Sequence, residues 1–147
     1  MFLDKSFLKT HVYSEIIDEI TRQDDEIVEK GIKAAIGEAK GYLSRYDKLA
    51  IFGTDSVAPT VSDDDLAYLR EVVIEIAVWK IVRLCNPNVE LKLMRTGYED
   101  AINWLKMVQK GQVDPSLPYK ADDATTEGFN ENNSIQFSSN TKRDNHF

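Results

Sequence analysis

The sequence predicts an all-α protein: a helical bundle of three main helices preceded by short N-terminal helices, with an extended C-terminal arm. Three observations carry this reading. Apolar residues recur at spacings of three and four along three long stretches, the period of a helix with one buried face. The four prolines, Pro59, Pro87, Pro115 and Pro118, all fall between or after those stretches. Residues 1–111 hold 53 of the 62 hydrophobic residues, whereas the 36 positions of 112–147 hold nine, together with twelve Ser, Thr or Asn. At 147 residues and 42% hydrophobic content, the chain is long enough for one core and too short for several. The expected division is a helical body over 1–111 and a polar arm over 112–147.

The N-terminal end reads as two short helices. Asp4 is placed to cap a helix carrying Phe7 and Leu8, and Ser14 precedes Ile16, Ile17 and Ile20. The first long helix is expected over residues 24–46. Asp24 and Asp25 suit a helix N-terminus, and Val28, Ile32, Ala35, Ile36, Ala39, Tyr42, Leu43 and Tyr46 form one apolar stripe. Gly31, Gly37 and Gly41 lower its intrinsic stability by up to about 1 kcal/mol each relative to alanine, so the helix depends on packing or lets a neighbour approach closely. Residues 47–61, with Gly53, Thr54, Ser56 and Pro59, read as a connecting loop.

Ser62 followed by Asp63, Asp64 and Asp65 makes a helix start. The helix over 62–85 is apolar on nearly every side, through Val72, Val73, Ile74, Ile76, Ala77, Val78, Trp79, Ile81 and Val82, which makes it the expected central and most buried helix. Asn86-Pro87-Asn88 breaks it, because proline disfavours helix in the preceding residue and donates no backbone hydrogen bond. The third helix is expected over 89–110, with Leu91, Met94, Tyr98, Ala101, Ile102, Leu105 and Val108 on one face and Gly111 to end it. In the arm, Ser134-Ile135-Gln136-Phe137-Ser138 alternates polar and apolar residues, a short strand signal that needs a partner edge. Its apolar anchors Ile135, Phe137 and Phe147, with the basic Lys142 and Arg143, are the expected partner-binding residues.

Composition narrows the function. With 25 acidic against 18 basic residues, the net charge is -7, which disfavours a protein whose affinity comes from covering phosphates. A single cysteine, Cys85, forms no intrachain disulfide, and the start Met1-Phe2-Leu3-Asp4 lacks the basic and long apolar regions of a secretion signal. The expectation is a soluble protein of a reducing compartment. The longest nearly apolar run, 72–84, is interrupted by Glu75, Lys80 and Arg83 and falls short of the ~20 residues a membrane-spanning helix needs.

Few residues suggest chemistry. The triplet Asp63-Asp64-Asp65 offers hard oxygen ligands, but lacks the glycine-centred spacing and distal glutamate of a calcium loop, so helix capping is the better reading. Cys85 lies in an apolar helix without a basic neighbour motif to activate it, and His11 and His146 are the only histidines. Phosphate loops, nucleophile elbows and zinc-protease motifs are missing from the sequence. Trp79, Trp104, Tyr42, Tyr46 and Tyr98 sit within helical apolar patterns, where core packing is expected over a ligand pocket. The chain therefore reads as non-enzymatic, with no catalytic, cofactor or metal site assigned.

The run Ile32-Lys33-Ala34-Ala35-Ile36-Gly37-Glu38-Ala39-Lys40-Gly41-Tyr42-Leu43-Ser44-Arg45-Tyr46 resembles a helix of the small Mu-like prophage proteins, which look like tailed-phage head-tail connectors or adaptors. Tyr98-Glu99-Asp100-Ala101-Ile102-Asn103-Trp104-Leu105, ending at Lys110-Gly111, is similar to that family's last helix. Phe7-Leu8 at one end, and Ile135-Gln136-Phe137-Ser138-Ser139 with Lys142-Arg143 at the other, are similar in position to its termini. The resemblance implies a structural virion protein of the neck, made in the host bacterial cytoplasm. Such a protein forms a homo-oligomeric ring, by expectation a dodecamer, below the portal. It joins head to tail through portal and tail or neck proteins, while DNA passes through its lumen without specific binding. Acidic surface on such a channel would repel DNA. The competing readings are a non-viral helical interaction module with a C-terminal docking motif, and a small metal-dependent enzyme using Asp63 to Asp65.

Overall fold

The computed structural model describes residues 1–11, 14–85 and 91–121. The protein is all-α: α1 (Lys5–His11), α2 (Ser14–Thr21), α3 (Asp25–Tyr42), α4 (Lys48–Phe52), α5 (Asp63–Cys85) and α6 (Lys92–Gln109). Among the described residues the sole β pairing is an isolated antiparallel bridge between Tyr46 and Tyr119.

The helix starts are built as the sequence leads one to expect. Asp4 accepts from the Ser6 backbone N–H at 2.7 Å, and hydrogen bonding from Ser6 holds its carboxyl below the usual carboxylate range. Asp24 accepts from Glu26 at 3.0 Å, and Ser62 Oγ accepts from the Asp65 backbone while donating to its carboxylate. The bonds from the backbone N–H groups of Ser6, Glu26 and Asp65 each satisfy one of the donors that a helix start leaves orphaned. At the far end of α6, Gly111 takes φ +73°, and Gln112 N–H reaches back to the Met107 carbonyl at 2.9 Å, closing the helix with the left-handed residue that glycine adopts without steric cost.

Helix α5 is the centre of the bundle, with α1, α2, α3 and α6 packed on it. Val72, Val73, Ile74, Ile76, Ala77, Val78, Ile81 and Val82 are all buried. A helix buried on so many sides cannot show a single apolar stripe, and its partners supply the stripes instead. Helix α3 buries Val28, Ile32, Ala35 and Ala39, and α6 buries Ala101, Ile102, Leu105 and Val108. At Gly31 the α3 backbone comes so close to α5 that a Cβ would stand 2.4 Å from Cγ1 of Ile81, whereas Gly37 and Gly41 have open space beside them. Only the first of these three glycines answers to close helix approach. Helices α5 and α6 form the expected hairpin; the 86–90 connection that breaks them lies outside the described residues.

Two parts of the body depart from expectation. Residues 47–61 hold α4, a five-residue helix whose N-cap Asp47 accepts from both Leu49 and Ala50, and which seats Ile51 and Phe52 in the core. It is too short to show a period in sequence, so a side-chain cap and two buried residues decide it. Helix α3 ends at Tyr42 rather than continuing to Tyr46, and the turn through Leu43 carries Tyr46 off the stripe into contact with residues 114–119. Packing against the body also continues past Gly111. Leu117 is 5% exposed, Tyr119 stacks on Tyr46 at 4.8 Å between centroids, and backbone bonds join Asp47 to Pro118 and Lys120 to Arg45.

Candidate docking surfaces

The expected partner-binding residues Ile135, Phe137, Lys142, Arg143 and Phe147 lie outside the described residues, as does the 134–138 strand signal. The body itself presents three arrangements in which polar or aromatic groups converge.

Helices α3, α5 and α6 meet along a seam organised by Glu38. Its carboxylate accepts from Tyr98 at 2.9 Å on α6 and pairs with Lys80 at 2.6 Å on α5. Tyr98 stacks on Trp79 at 5.9 Å between centroids, and the Arg83 guanidinium stands 5.9 Å from the Trp79 ring. Burial together with the hydrogen bond to Glu38 pushes the Tyr98 hydroxyl up to about 12. One half-buried carboxylate thus ties three helices together, and leaving any of its partners unpaired costs more than the bond contributes. Nothing in the helical period singles Glu38 out, because the neighbours that define its role are 42 and 60 residues away.

The second arrangement fastens the N-terminal segment. Arg70 on α5, 12% exposed at its side chain, donates from Nε to the Phe2 carbonyl at 3.0 Å and pairs with Asp63 at 2.7 Å. Its guanidinium also stands 5.7 Å and 5.2 Å from the rings of Phe2 and Phe7. Phe2 and Leu3 are fully buried. Beside them, Ile32, Ile36 and Phe52 line an apolar groove of about 510 Å³, with Lys33 and Lys40 at its rim. Lys40 lies over the Phe52 ring at 5.3 Å.

The third is a cleft of about 240 Å³ between α5 and α6, walled by Tyr68 and Trp104 and lined by Glu71, Glu75 and Asp100. The two rings meet edge to face at 5.1 Å, and Tyr68 is 55% exposed. A Cβ at Gly97 would stand 2.3 Å from the Glu75 carboxylate, so the glycine leaves room for that carboxylate to lie in the cleft.

The other residues weighed from the sequence take structural roles. Asp63 pairs with Arg70, and Asp65 is engaged with Ser62, so two of the three carboxylates in the triplet serve the start of α5. Cys85 is half-buried in the last turn of α5, and desolvation, with the charge of Asp24, raises its thiol above the usual range; this is the opposite of an activated thiolate. Of the five aromatic residues expected in the core, Tyr46 is fully buried, while Tyr42, Trp79, Tyr98 and Trp104 are half-buried. Burial and contact with Tyr119 and Asp114 raise the Tyr46 hydroxyl well above its usual range. Exposed apolar residues include Leu84 and Leu93, at the end of the α5–α6 hairpin, and no described helix is long and apolar enough to cross a membrane.

The described body thus presents partly buried carboxylates, aromatic rings and apolar grooves on a helical frame. No curated protein and no solved structure is matched by this chain. The model of one family, described as Bacteriophage Mu, Gp36, matches residues 6–133, which takes in nearly the whole described body and the first part of the arm, and the chain belongs to that family of Mu-like phage proteins.

Proposed function

We propose that the protein is a head-to-tail connector, or adaptor, of a Mu-like tailed phage, assembling as a ring of twelve copies below the portal with DNA passing through the lumen. The observation that carries the reading is membership of the Mu Gp36 family over residues 6–133. The architecture agrees with it. A helical body with distinct docking faces, followed by a polar arm, suits a subunit that makes the same heterologous contact with each neighbour until the ring closes. The role is structural: it needs no cofactor, and the arm residues Ile135, Phe137, Lys142, Arg143 and Phe147 act as anchors on portal, tail or neighbouring subunits. In the virion it occupies the neck. The net charge of -7 suits a channel wall on which DNA does not stick.

Native mass spectrometry and negative-stain microscopy of the purified chain, alone and co-expressed with the portal protein of the same phage, test the reading. Closed rings, or rings that form on the portal, are the expected result. A monomer that stays monomeric and does not bind the portal would overturn it.

A further inference from the structure

We propose that residues 134–138 of the arm return to their own body and add a third strand beside residues 118–120, holding the arm closed in the free chain. The inference goes beyond the connector reading and does not rest on it. The docking place is the isolated antiparallel pairing of Tyr46 with Tyr119. Asp47 N–H donates to the Pro118 carbonyl at 2.8 Å, and Lys120 N–H donates to the Arg45 carbonyl at 3.1 Å. When the bonds of an antiparallel pair flank the facing residues in this way, those residues turn their own N–H and C=O groups outward. The Tyr46 N–H donates to the Leu43 carbonyl at 3.3 Å. The backbone N–H and C=O of Tyr119 meet no partner among the described residues, and Tyr119 is 50% exposed.

This edge is held in place before anything pairs with it. The two rings stack, and both hydroxyls donate to one carboxylate oxygen of Asp114, at 3.3 Å from Tyr46 and 2.7 Å from Tyr119. Leu117 is buried, and Pro115 and Pro118 restrict the backbone on either side of it. A rigid edge loses little further freedom when a strand is added to it. A two-stranded pairing this short is marginal by itself, and a third strand stabilises it.

The occupant follows from the rest of the chain. The pairing of Tyr46 with Tyr119 is the sole β pairing among the described residues, and Ser134-Ile135-Gln136-Phe137-Ser138 is the arm's alternating strand pattern. The arm leaves the body at this edge, since Lys120 is itself one of the bonded residues. Thirteen residues, 121–133, lie between Lys120 and Ser134. They reach up to about 45 Å when extended, against the ~5 Å that separates neighbouring strands. The tether holds the segment at an effective concentration of order millimolar, so its own edge is met before that of another copy. In either register that sets an apolar arm residue opposite Tyr119, Ile135 and Phe137 share the face on which Tyr46 and Tyr119 stack, where cross-strand aromatic contacts stabilise the pairing. These two apolar anchors are thereby covered in the free chain, and anchoring elsewhere requires them to leave this edge.

Amide hydrogen exchange of the full-length chain, read at single residues by NMR over a range of protein concentrations, tests the pairing, with an Ile135→Ser, Phe137→Ser variant as the comparison. The expected result is a Tyr119 amide that exchanges more slowly in the parent than in the variant, by about tenfold or more, at every concentration, while the amides of α3, α5 and α6 are alike in the two. Equal exchange of the Tyr119 amide in parent and variant would overturn the inference. Protection that grows with protein concentration belongs to pairing between copies and would overturn it too. Neither outcome bears on whether rings form on the portal, so the connector reading stands or falls separately.

Discussion

Replacing Gly31 with alanine should destabilise the protein, although the same change elsewhere in α3 should stabilise it. The new Cβ would stand 2.4 Å from Cγ1 and 3.3 Å from Cδ1 of Ile81, against a normal carbon separation of about 3.5–4.0 Å. Either α3 and α5 separate by more than about 1 Å, or Ile81 leaves its rotamer. Overpacking of this kind costs about 1–3 kcal/mol, while removing a helix-interior glycine returns about 0.8–1 kcal/mol. The net expectation for Gly31→Ala is a loss of up to about 2 kcal/mol. Gly37, in the same helix, has nothing within 4 Å of the place a methyl group would occupy, so Gly37→Ala should gain up to about 1 kcal/mol. The two variants should differ by the overpacking cost, roughly 1–3 kcal/mol, or about 4–12 °C in Tm for a domain of this size. Thermal and urea unfolding followed by circular dichroism, at one protein concentration, measures this directly. Adding Ile81→Ala to Gly31→Ala should cost less than Ile81→Ala costs the parent, because the cavity accepts the methyl. If Gly31→Ala proved as stable as Gly37→Ala, the close crossing of α3 and α5 would be refuted.

Three further expectations follow from the same packing. Arg70→Met should free residues 1–11 from α5, raising their amide hydrogen exchange by about tenfold or more while exchange in α6 stays unchanged; equal protection in both proteins would count against the Arg70 clasp. Asp47→Ala removes the acceptor for two backbone N–H groups at the start of α4 and should lower stability by about 1 kcal/mol, read as a shift in the urea midpoint. The hydroxyls of Tyr46, Tyr98 and Tyr119 are all raised in the folded protein. Their contribution is fully present below about pH 10, the unfolded value, and is lost as pH rises toward the folded values, since the unfolded chain ionises first. Tm should therefore fall on raising the pH above about 10, and the fall should be shallower in a Tyr46→Phe, Tyr98→Phe variant.

The connection between sequence and site is uneven for physical reasons. Helices α3, α5 and α6 are legible because burial writes a helical pattern into the sequence, and the caps at Asp24, Ser62 and Gly111 are legible because orphaned backbone groups at helix ends call for particular residue types. Helix α4 is not, since five residues span little more than one turn. Glu38 and Arg70 read as ordinary solvated charges; their roles come from Tyr98, Lys80 and Phe2, brought beside them from distant parts of the chain.

By itself, the order of residues determined that this is a helical protein with α5 as its central helix, and that apolar material thins out after Gly111, because helix period and composition are local properties of a chain. Tertiary structure alone decided which of three glycines carries a helix crossing, that residues 112–120 return to pack on Tyr46, and that an aromatic, acid-lined cleft opens between α5 and α6. Those outcomes depend on how closely two backbones approach and on which distant side chains they bring together, quantities that exist only once the helices have packed.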